Sequence, residues 1–299
     1  MAKISLVLGS GGARGYAHIG VIQVLKEQGH TINAVSGTSI GSLIGGLEAV
    51  GKLDEYTDWV TGMSQRDVIW LLDPKLGSGG ALGMERVFTR MRELYGGAHI
   101  EDLPIPYTAV ATDLGNRREV WFQSGLLATA VRASVSIPGV ITPIMVNGRL
   151  LVDGGVVNPV PIEPVMSADS DLTVAVSLSG WTPPDFGSSP VKSSSWISSL
   201  LSKLTGKEPA PEPEPDYEEP PADLGIAEVT ARALETMGAL ITRYRLAAQQ
   251  PDVLITVPHD SAHSMDFHRA EDLIALGREL AEAALREQLP EAPNGQPPD

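Results

Sequence analysis

A serine flanked by glycines is the first feature of the sequence that could do chemistry. Residues 37–41 read Gly-Thr-Ser-Ile-Gly, with an apolar segment before them and apolar residues at helical spacing after Ser39. A sharp strand-to-helix turn holds a serine hydroxyl clear of the backbone, and small residues two positions away on either side prevent a clash there. The positive end of the following helix points at the serine oxygen. The motif therefore predicts a nucleophilic serine.

A serine nucleophile needs a base, and the sequence offers two kinds. Histidine is the usual base, but none of the six histidines lies in a glycine-rich or otherwise distinctive turn. Asp153 follows an apolar strand and precedes two glycines, which would leave its carboxylate exposed at a strand end. An aspartate that begins a turn is the structural alternative, and the residues alone leave both interpretations open. The histidines are His18, His30, His99, His259, His263 and His268.

A glycine-rich loop, Gly-Ser-Gly-Gly-Ala-Arg-Gly at residues 9–15, follows the first apolar strand. Its position before a helix suggests a dinucleotide phosphate loop, but Arg14 occupies the place of the third glycine of that fingerprint. Backbone N–H groups at a helix start can instead form an oxyanion hole for the charge that develops on a carbonyl oxygen. Gly11, Gly12 and Ala13 can supply such donors, because glycine permits the tight backbone path.

The elements that must position these residues alternate along the chain. A strand, a glycine turn and a helix occur twice in succession in the first third, which predicts a mostly parallel sheet covered by helices. A further helix begins at Ser39. We predict strands at residues 4–8, 34–36, 107–112, 119–122, 150–152, 172–178 and 253–257, and helices at 17–28, 126–134 and 270–289.

The composition divides the chain into four parts. Residues 1–180 are predicted to form the catalytic core, and residues 223–289 to add C-terminal helices and a strand to the same domain. Residues 181–222 are rich in serine, proline and acidic residues, which predicts a mobile insert, and residues 290–299 predict a disordered tail. The insert contains an apolar stripe that suggests an amphipathic lid or interfacial helix, and a linker with chance apolar residues is the alternative. The stripe is formed by Trp196, Ile197, Leu200, Leu201 and Leu204.

The charge balance excludes some partners. The 299 residues include 22 basic and 37 acidic ones, a net charge of −15, which argues against nucleic acid and leaves only a transient, apolar contact with a membrane interface. Cysteine is absent, which excludes disulfides, thiolate metal sites and cysteine nucleophiles. No apolar run is long enough for a membrane span or a signal peptide, so we expect a cytoplasmic protein, at most peripheral at the inner membrane.

Three other features favour structural roles. The Trp-Leu-Leu sequence at residues 70–72 could line an apolar substrate tunnel, but core packing is the favoured interpretation. Asp113 is predicted to be a turn or capping residue rather than a third catalytic acid. Arg132 is predicted to anchor a loop near the site rather than to contact substrate.

Taken together, the motifs resemble the patatin-like phospholipase family. That family combines a Gly-x-Gly-Gly-x-Arg-Gly loop, a Gly-x-Ser-x-Gly turn and an Asp-Gly-Gly/Ala motif, and residues 9–15, 37–41 and 153–155 match them in this order. Residues 131–139 and 153–161 resemble further family blocks. The resemblance extends over about residues 3–178 and is greatest to the compact bacterial (RssA-type) group.

The resemblance implies a three-layer α/β/α fold with a mostly parallel central sheet. It also implies a dyad in which Ser39 is the nucleophile and Asp153 the base, so that no histidine is required. Gly11, Gly12 and Ala13 would form the oxyanion hole, supported by Arg14. The other motif positions are glycines: Gly9, Gly15, Gly37, Gly41, Gly154 and Gly155.

The implied activity is hydrolysis of carboxylic esters of phospholipids or lysophospholipids through an acyl-serine intermediate. The substrate would be a lipid or another acyl ester, and neither a metal nor an organic cofactor is implied. A regulator or scaffold that retains the fold without activity is the alternative. Such a scaffold would not need the serine, the aspartate and the glycine loop together, which argues against it.

Overall fold

The computed structural model describes residues 1–72, 84–180 and 226–288. The predicted insert with its apolar stripe and the predicted tail lie outside the described residues. Residue contacts group the described residues up to 180 with residues 231–288 in one compact unit.

Eight strands and eight α-helices lie within the described ranges. The strands are β1 Lys3–Leu8, β2 Thr31–Thr38, β3 Tyr107–Asp113, β4 Arg118–Phe122, β5 Ile144–Val146, β6 Arg149–Asp153, β7 Leu172–Gly180 and β8 Val253–Pro258. The helices are α1 Ala17–Glu27, α2 Ile40–Ala49, α3 Leu53–Thr61, α4 Gln65–Leu72, α5 Glu85–Tyr95, α6 Leu127–Ser134, α7 Ile226–Ala248 and α8 Ala270–Gln288.

The predicted strands and helices are all present, with ends that differ by a few residues. The largest difference is in β2, which starts at Thr31 rather than at residue 34, because β1 pairs with it from Lys3 onwards. The helices α3, α4 and α5 and the short strand β5 were not predicted, and α7 was expected only as one of the C-terminal helices, without a range.

The strands form one sheet in the order β5-β6-β3-β2-β1-β7-β8, with β4 also paired to β3. Pairing is parallel from β3 to β8 along this order and antiparallel where β4, β5 and β6 take part. The side chains of successive residues in the central strands lie on opposite faces of the sheet and pack into two different hydrophobic cores. Leu6 packs with α1, α2 and α8, whereas Val7 and Ala175 pack with residues 160–165 and with Leu246 of α7. Helices on both faces confirm the three-layer, mostly parallel fold.

Strand β3 brings the ends of β2 and β6 together. Because β4 occupies one edge of β3, β2 and β6 share the other edge. Thr38, the last residue of β2, pairs with Val110, and Asp153, the last residue of β6, pairs with Ala111. Ser39 follows Thr38 directly, so the register of the sheet places it beside Asp153.

Candidate active site

Ser39 occupies the sharp turn between β2 and α2. Its backbone angles, φ 57° and ψ −125°, lie in a region that is strained for any residue except glycine. The flanking glycines make the turn possible. A Cβ atom added to Gly41 would lie 2.1 Å from the carbonyl oxygen of Leu8, and one added to Gly37 would lie 2.4 Å from the carbonyl oxygen of Gly41. The geometry agrees with the turn that the motif predicts.

Hydrogen bonds fix the Ser39 backbone from both sides. Its N–H donates to the hydroxyl oxygen of Ser134 over 2.9 Å, and that hydroxyl donates to the Val110 carbonyl of β3 over 2.6 Å. The Ser42 hydroxyl donates to the Ser39 carbonyl over 2.7 Å. No role was predicted for Ser134 itself, although it lies in residues 131–139, one of the blocks that resemble the family.

Asp153 is buried at the end of β6, with 5% of its surface exposed. Its Oδ1 accepts the Gly155 N–H over 2.7 Å, and its own N–H donates to the Ser136 carbonyl over 2.9 Å. Burial raises the pKa of Asp153 to about 6, against the opposing effects of the Ser39 hydroxyl and the Gly155 amide. Oδ2 is buried without a well-formed hydrogen bond to any described residue. The carboxylate thus has a raised affinity for a proton and one oxygen available to take it.

The two glycines after Asp153 allow its loop to approach its neighbours closely. A Cβ atom at Gly154 would lie 2.2 Å from the carbonyl oxygen of Val110. At Gly155 a Cβ atom would lie 2.9 Å from the hydroxyl oxygen of Ser10 in the glycine-rich loop. Larger residues would push the carboxylate away from β3 and from that loop.

The glycine-rich loop packs against β7 and against the serine turn, in addition to the contact of Ser10 with the Asp153 loop. The Gly9 N–H donates to β7, over 3.0 Å to the Val176 carbonyl. A Cβ atom at Gly11 would lie 2.5 Å from the Leu178 side chain, and one at Gly15 would lie 2.3 Å from the Ile40 side chain, next to Ser39. The loop, the serine turn and the Asp153 loop therefore meet at one place.

The three predicted oxyanion donors differ in availability. The Ala13 N–H already donates to the carbonyl oxygen of Ser264 over 3.0 Å, so in this arrangement it cannot serve an oxyanion. The amides of Gly11 and Gly12 have no acceptor among the described residues. Gly12 also lines the same cavity as Ser39. The difference from the prediction arises because the loop around Ser264, about 250 residues away in sequence, packs over the glycine-rich loop.

Arg14 lies behind the glycine-rich loop, with only 7% of its surface exposed. It donates to the carbonyl oxygen of Gly11 over 3.1 Å and to that of His259 over 2.8 Å. The carbonyl and the N–H of one trans peptide group point in opposite directions, so the bond to Gly11 turns the Gly12 N–H away from Arg14. Burial lowers the pKa of Arg14, and Glu235, 3.3 Å from the guanidinium, opposes that shift.

A narrow apolar cavity of about 90 Å³ opens at Ser39. Leu71, Phe88 and Ile137 are among its lining side chains. Leu71 therefore lines the cavity, as in the alternative interpretation. Trp70 is 60% exposed and does not line the cavity, so it fits neither the core nor the tunnel interpretation. The side chain of residue 72 lies outside the described residues. A larger groove of about 850 Å³ lies at the opposite, amino-terminal end of β2 and β3 and contains none of the predicted site residues.

The contacts of Asp113 and Arg132 agree with the turn and anchoring roles predicted for them. The Asp113 carboxylate accepts both the backbone and the side-chain N–H of Asn116, over 3.0 and 2.7 Å, as a turn residue does. Arg132 donates to the Thr142 carbonyl over 2.9 Å and lies over the Phe88 ring at 4.4 Å. It thereby anchors the loop that supplies Ile137 to the cavity.

The histidines of the described chain neither line the cavity nor hydrogen-bond to Ser39. His18 is completely buried, and its Nε2 lies 2.9 Å from the Gly9 carbonyl, so this nitrogen carries the hydrogen. Burial lowers the pKa of His18 to about 4, which leaves the ring neutral at pH 7. Within the described ranges there is no group of three or more histidine, aspartate or glutamate side chains that could hold a metal ion, and no helix long and apolar enough to cross a membrane.

Known proteins are similar in sequence to this chain over most of its length. NTE family proteins of Mycobacterium tuberculosis and Mycobacterium bovis are 40% identical over 95% of this chain and 91% of their own. The lysophospholipase NTE1 of Yarrowia lipolytica is 30% identical over 95% of this chain and 19% of its own length. Among solved structures, VipD from Legionella pneumophila is 16% identical, with a TM-score of 0.41, over 95% of this chain and 67% of its own.

The family model described as patatin-like phospholipase matches residues 6–166, which include the glycine-rich loop, the serine turn and the Asp153 motif. This match and the mycobacterial relatives agree with the resemblance seen in the motifs. The chain belongs to the patatin-like phospholipase family.

Proposed function

We propose that the protein cleaves carboxylic esters of phospholipids or lysophospholipids through an acyl-serine intermediate, with Ser39 as nucleophile and Asp153 as base. Membership of the family makes the protein a lipid hydrolase. The lysophospholipase name of the Yarrowia relative supports the substrate class. The observation that carries the proposal is the buried Asp153 carboxyl, with its pKa raised to about 6, beside the Ser39 hydroxyl at the edge of β3.

In the first step the Ser39 Oγ attacks the ester carbonyl carbon, and its proton passes to Oδ2 of Asp153. The electron pair of the C=O bond moves to the oxygen, where the Gly11 and Gly12 amides stabilise the negative charge. When the carbonyl reforms, the bond to the alcohol oxygen breaks and Asp153 returns the proton to the leaving alcohol. The acyl group remains on Ser39.

In the second step Asp153 takes a proton from water, which attacks the acyl carbon. Collapse of this intermediate breaks the bond to Ser39 Oγ, which regains the proton, and the fatty acid leaves. A carboxylate in water is a weak base for a serine hydroxyl, because their pKa values differ by many units. Burial of Asp153 narrows this difference, and the loop amides lower the energy of the anion that forms.

The cavity beside Ser39 supports an acyl ester as substrate. Its lining is almost entirely apolar, which suits a hydrocarbon chain. At about 90 Å³ it is well below the ~300–1,000 Å³ of sites that enclose a whole ligand. We therefore place part of the acyl chain in the cavity and the headgroup outside it.

The test compares the wild type with Ser39→Ala and Asp153→Asn on a short-chain nitrophenyl ester and on a lysophospholipid. Both variants should lose turnover by a factor of about 10⁴ or more and keep the fold, as judged by circular dichroism. The double variant should be little worse than either single one, because residues that act as a unit are not additive. The wild-type kcat/KM should fall as the pH drops through about 6, where Asp153 becomes protonated.

Two results would contradict the proposal. Near-wild-type turnover by Asp153→Asn, with loss in His259→Gln, would transfer the role of base to a histidine. Wild-type protein without Ser39-dependent turnover on either substrate would favour the scaffold alternative.

A further inference from the structure

Glu235 of α7 connects two groups that hold the glycine-rich loop. Its Oε1 accepts the Ser264 hydroxyl over 2.7 Å and lies 3.3 Å from Nη2 of Arg14. The Arg14 side chain is only 8% exposed, while that of Glu235 is 53% exposed. Among the described residues, Glu235 is the acidic side chain within ion-pair distance of this buried guanidinium.

Ser264 holds the peptide group after Gly12. Its carbonyl oxygen accepts the Ala13 N–H over 3.0 Å. Its backbone also lies directly over Gly12, because a Cβ atom there would be 2.5 Å from the Ser264 carbonyl oxygen. The hydroxyl of Ser264 is the group that Glu235 binds, so Glu235 fixes the residue that covers the loop.

Arg14 holds the peptide group before Gly12. Its Nε donates to the Gly11 carbonyl, which sets the direction of the Gly12 N–H. The Arg14 guanidinium is in turn paired with Glu235. One carboxylate on α7 is thus linked to both peptide groups on either side of Gly12.

We propose that Glu235 is a positioning residue for the oxyanion hole, which acts through Arg14 and Ser264 to hold the Gly12 amide toward the cavity at Ser39. This inference rests on the proposed function. Glu235 does not line the cavity and does not contact Ser39 or Asp153, so it is not a catalytic residue. An ion pair with an exposed partner usually contributes little to the stability of the fold, so we assign the Arg14–Glu235 pair the role of orienting the Gly12 amide.

The experiment measures kcat and KM on a short-chain nitrophenyl ester for Glu235→Ala, Glu235→Gln and Ser264→Ala. In Glu235→Ala we expect kcat to fall by about tenfold to a hundredfold, below the ~10²–10³ of a lost oxyanion donor, with KM within twofold of the wild type. Glu235→Gln keeps an acceptor for the Ser264 hydroxyl and should recover part of kcat. The control is Glu279→Gln on α8, an exposed glutamate without an ion pair to the described residues, which should match the wild type.

A double variant tests the route of the effect. Ser264→Ala should cost less than Glu235→Ala, because the pairing with Arg14 remains. The Glu235→Ala/Ser264→Ala protein should equal Glu235→Ala alone, since the second change removes a contact that is already lost. Losses that multiply in the double variant would overturn the inference.

Further outcomes separate this inference from the proposed function. If Glu235→Ala keeps the wild-type kcat while Ser39→Ala is inactive, only the role of Glu235 is overturned. The role of Glu235 is also overturned if kcat of Glu235→Ala falls only in proportion to its folded fraction and Glu235→Gln has no higher kcat than Glu235→Ala. If the wild type has no Ser39-dependent turnover, both proposals are overturned.

Discussion

At Asp153, the burial that raises the proton affinity of the carboxyl group also affects the stability of the fold. The pKa is about 6 in the folded chain, against 3.8 for an ordinary aspartate. Between these values the folded state holds a proton that the unfolded state has released, so the free energy of unfolding falls as the pH rises through this window. Above pH 6 the buried charge lowers the free energy of unfolding by its full amount, about 3 kcal/mol.

Asp153→Asn should therefore stabilise the protein at pH 8, by up to about 3 kcal/mol, because the amide carries no charge to bury. The advantage should shrink between pH 6 and pH 4, as the wild-type carboxyl takes up its proton in the folded state. Urea unfolding of both proteins at pH 8 and pH 5 measures the difference. A stability difference that does not change with pH would contradict the raised pKa.

Some residues of the site could be predicted because their motifs are local. The strain and the close contacts at Ser39 involve residues within a few positions or in neighbouring strands, and glycines at fixed spacing indicate them. The Ala13 amide could not be assigned correctly, because its acceptor, Ser264, is about 250 residues away. For the same reason no local pattern indicates that Glu235 lies against Arg14.

At the scale of elements, the strands with β-branched apolar runs were predicted, and the rest depended on pairing. The polar start of β2 at Thr31 is a strand only because β1 lies beside it. The three residues of β5 form a strand by pairing with β6 in a hairpin. The polar Thr31 and Asn33 interrupt any apolar run at the start of β2, and the Ile-Met-Val of β5 is apolar but too short to identify a strand.

The packing of α1 on α8 depends on two glycines. A Cβ atom at Gly277 of α8 would lie 2.1 Å from the Ala17 carbonyl oxygen, and one at Gly20 of α1 would lie 2.1 Å from the Ile274 carbonyl oxygen. These contacts are with backbone atoms, which cannot move aside as a flexible side chain can. The helices therefore approach as closely as they do only because both positions lack a side chain.

Gly277→Ala should lower the free energy of unfolding by about 1–3 kcal/mol, the usual cost of overpacking. The matched control is Gly62→Ala at the end of α3, where the nearest atom to an added Cβ would be 3.6 Å away. That control should be close to neutral. Chemical denaturation of both variants measures the effect, and equal stabilities would show that α1 and α8 can separate without cost.

At the scale of the whole molecule, the sheet explains why distant residues meet. The neighbouring strands β1 and β2 are parallel, so the glycine-rich loop and Ser39 follow their carboxyl ends at one edge. Ligands of open α/β sheets bind outside the carboxyl ends of the strands. The antiparallel strand β6 adds Asp153 through its pairing with β3.

The net charge of −15 opposes contact with a negatively charged lipid surface. The repulsion is screened by salt, since the Debye length falls from ~30 Å at 0.01 M to ~8 Å at 0.15 M ionic strength. Hydrolysis of a lysophospholipid carried in phosphatidylcholine vesicles should therefore exceed hydrolysis of the same lipid in phosphatidylglycerol vesicles at low salt. The difference should narrow as salt is added.

A soluble nitrophenyl ester is the control for this comparison, because an uncharged substrate is not repelled and its turnover should not depend on salt in the same range. Initial rates at 10 mM and 150 mM salt measure both substrates. Faster hydrolysis in phosphatidylglycerol vesicles at low salt would mean that a local cationic surface, rather than the net charge, governs the approach to lipid. With the expected result, the charge of the molecule selects the lipid surface on which the proposed ester hydrolysis takes place.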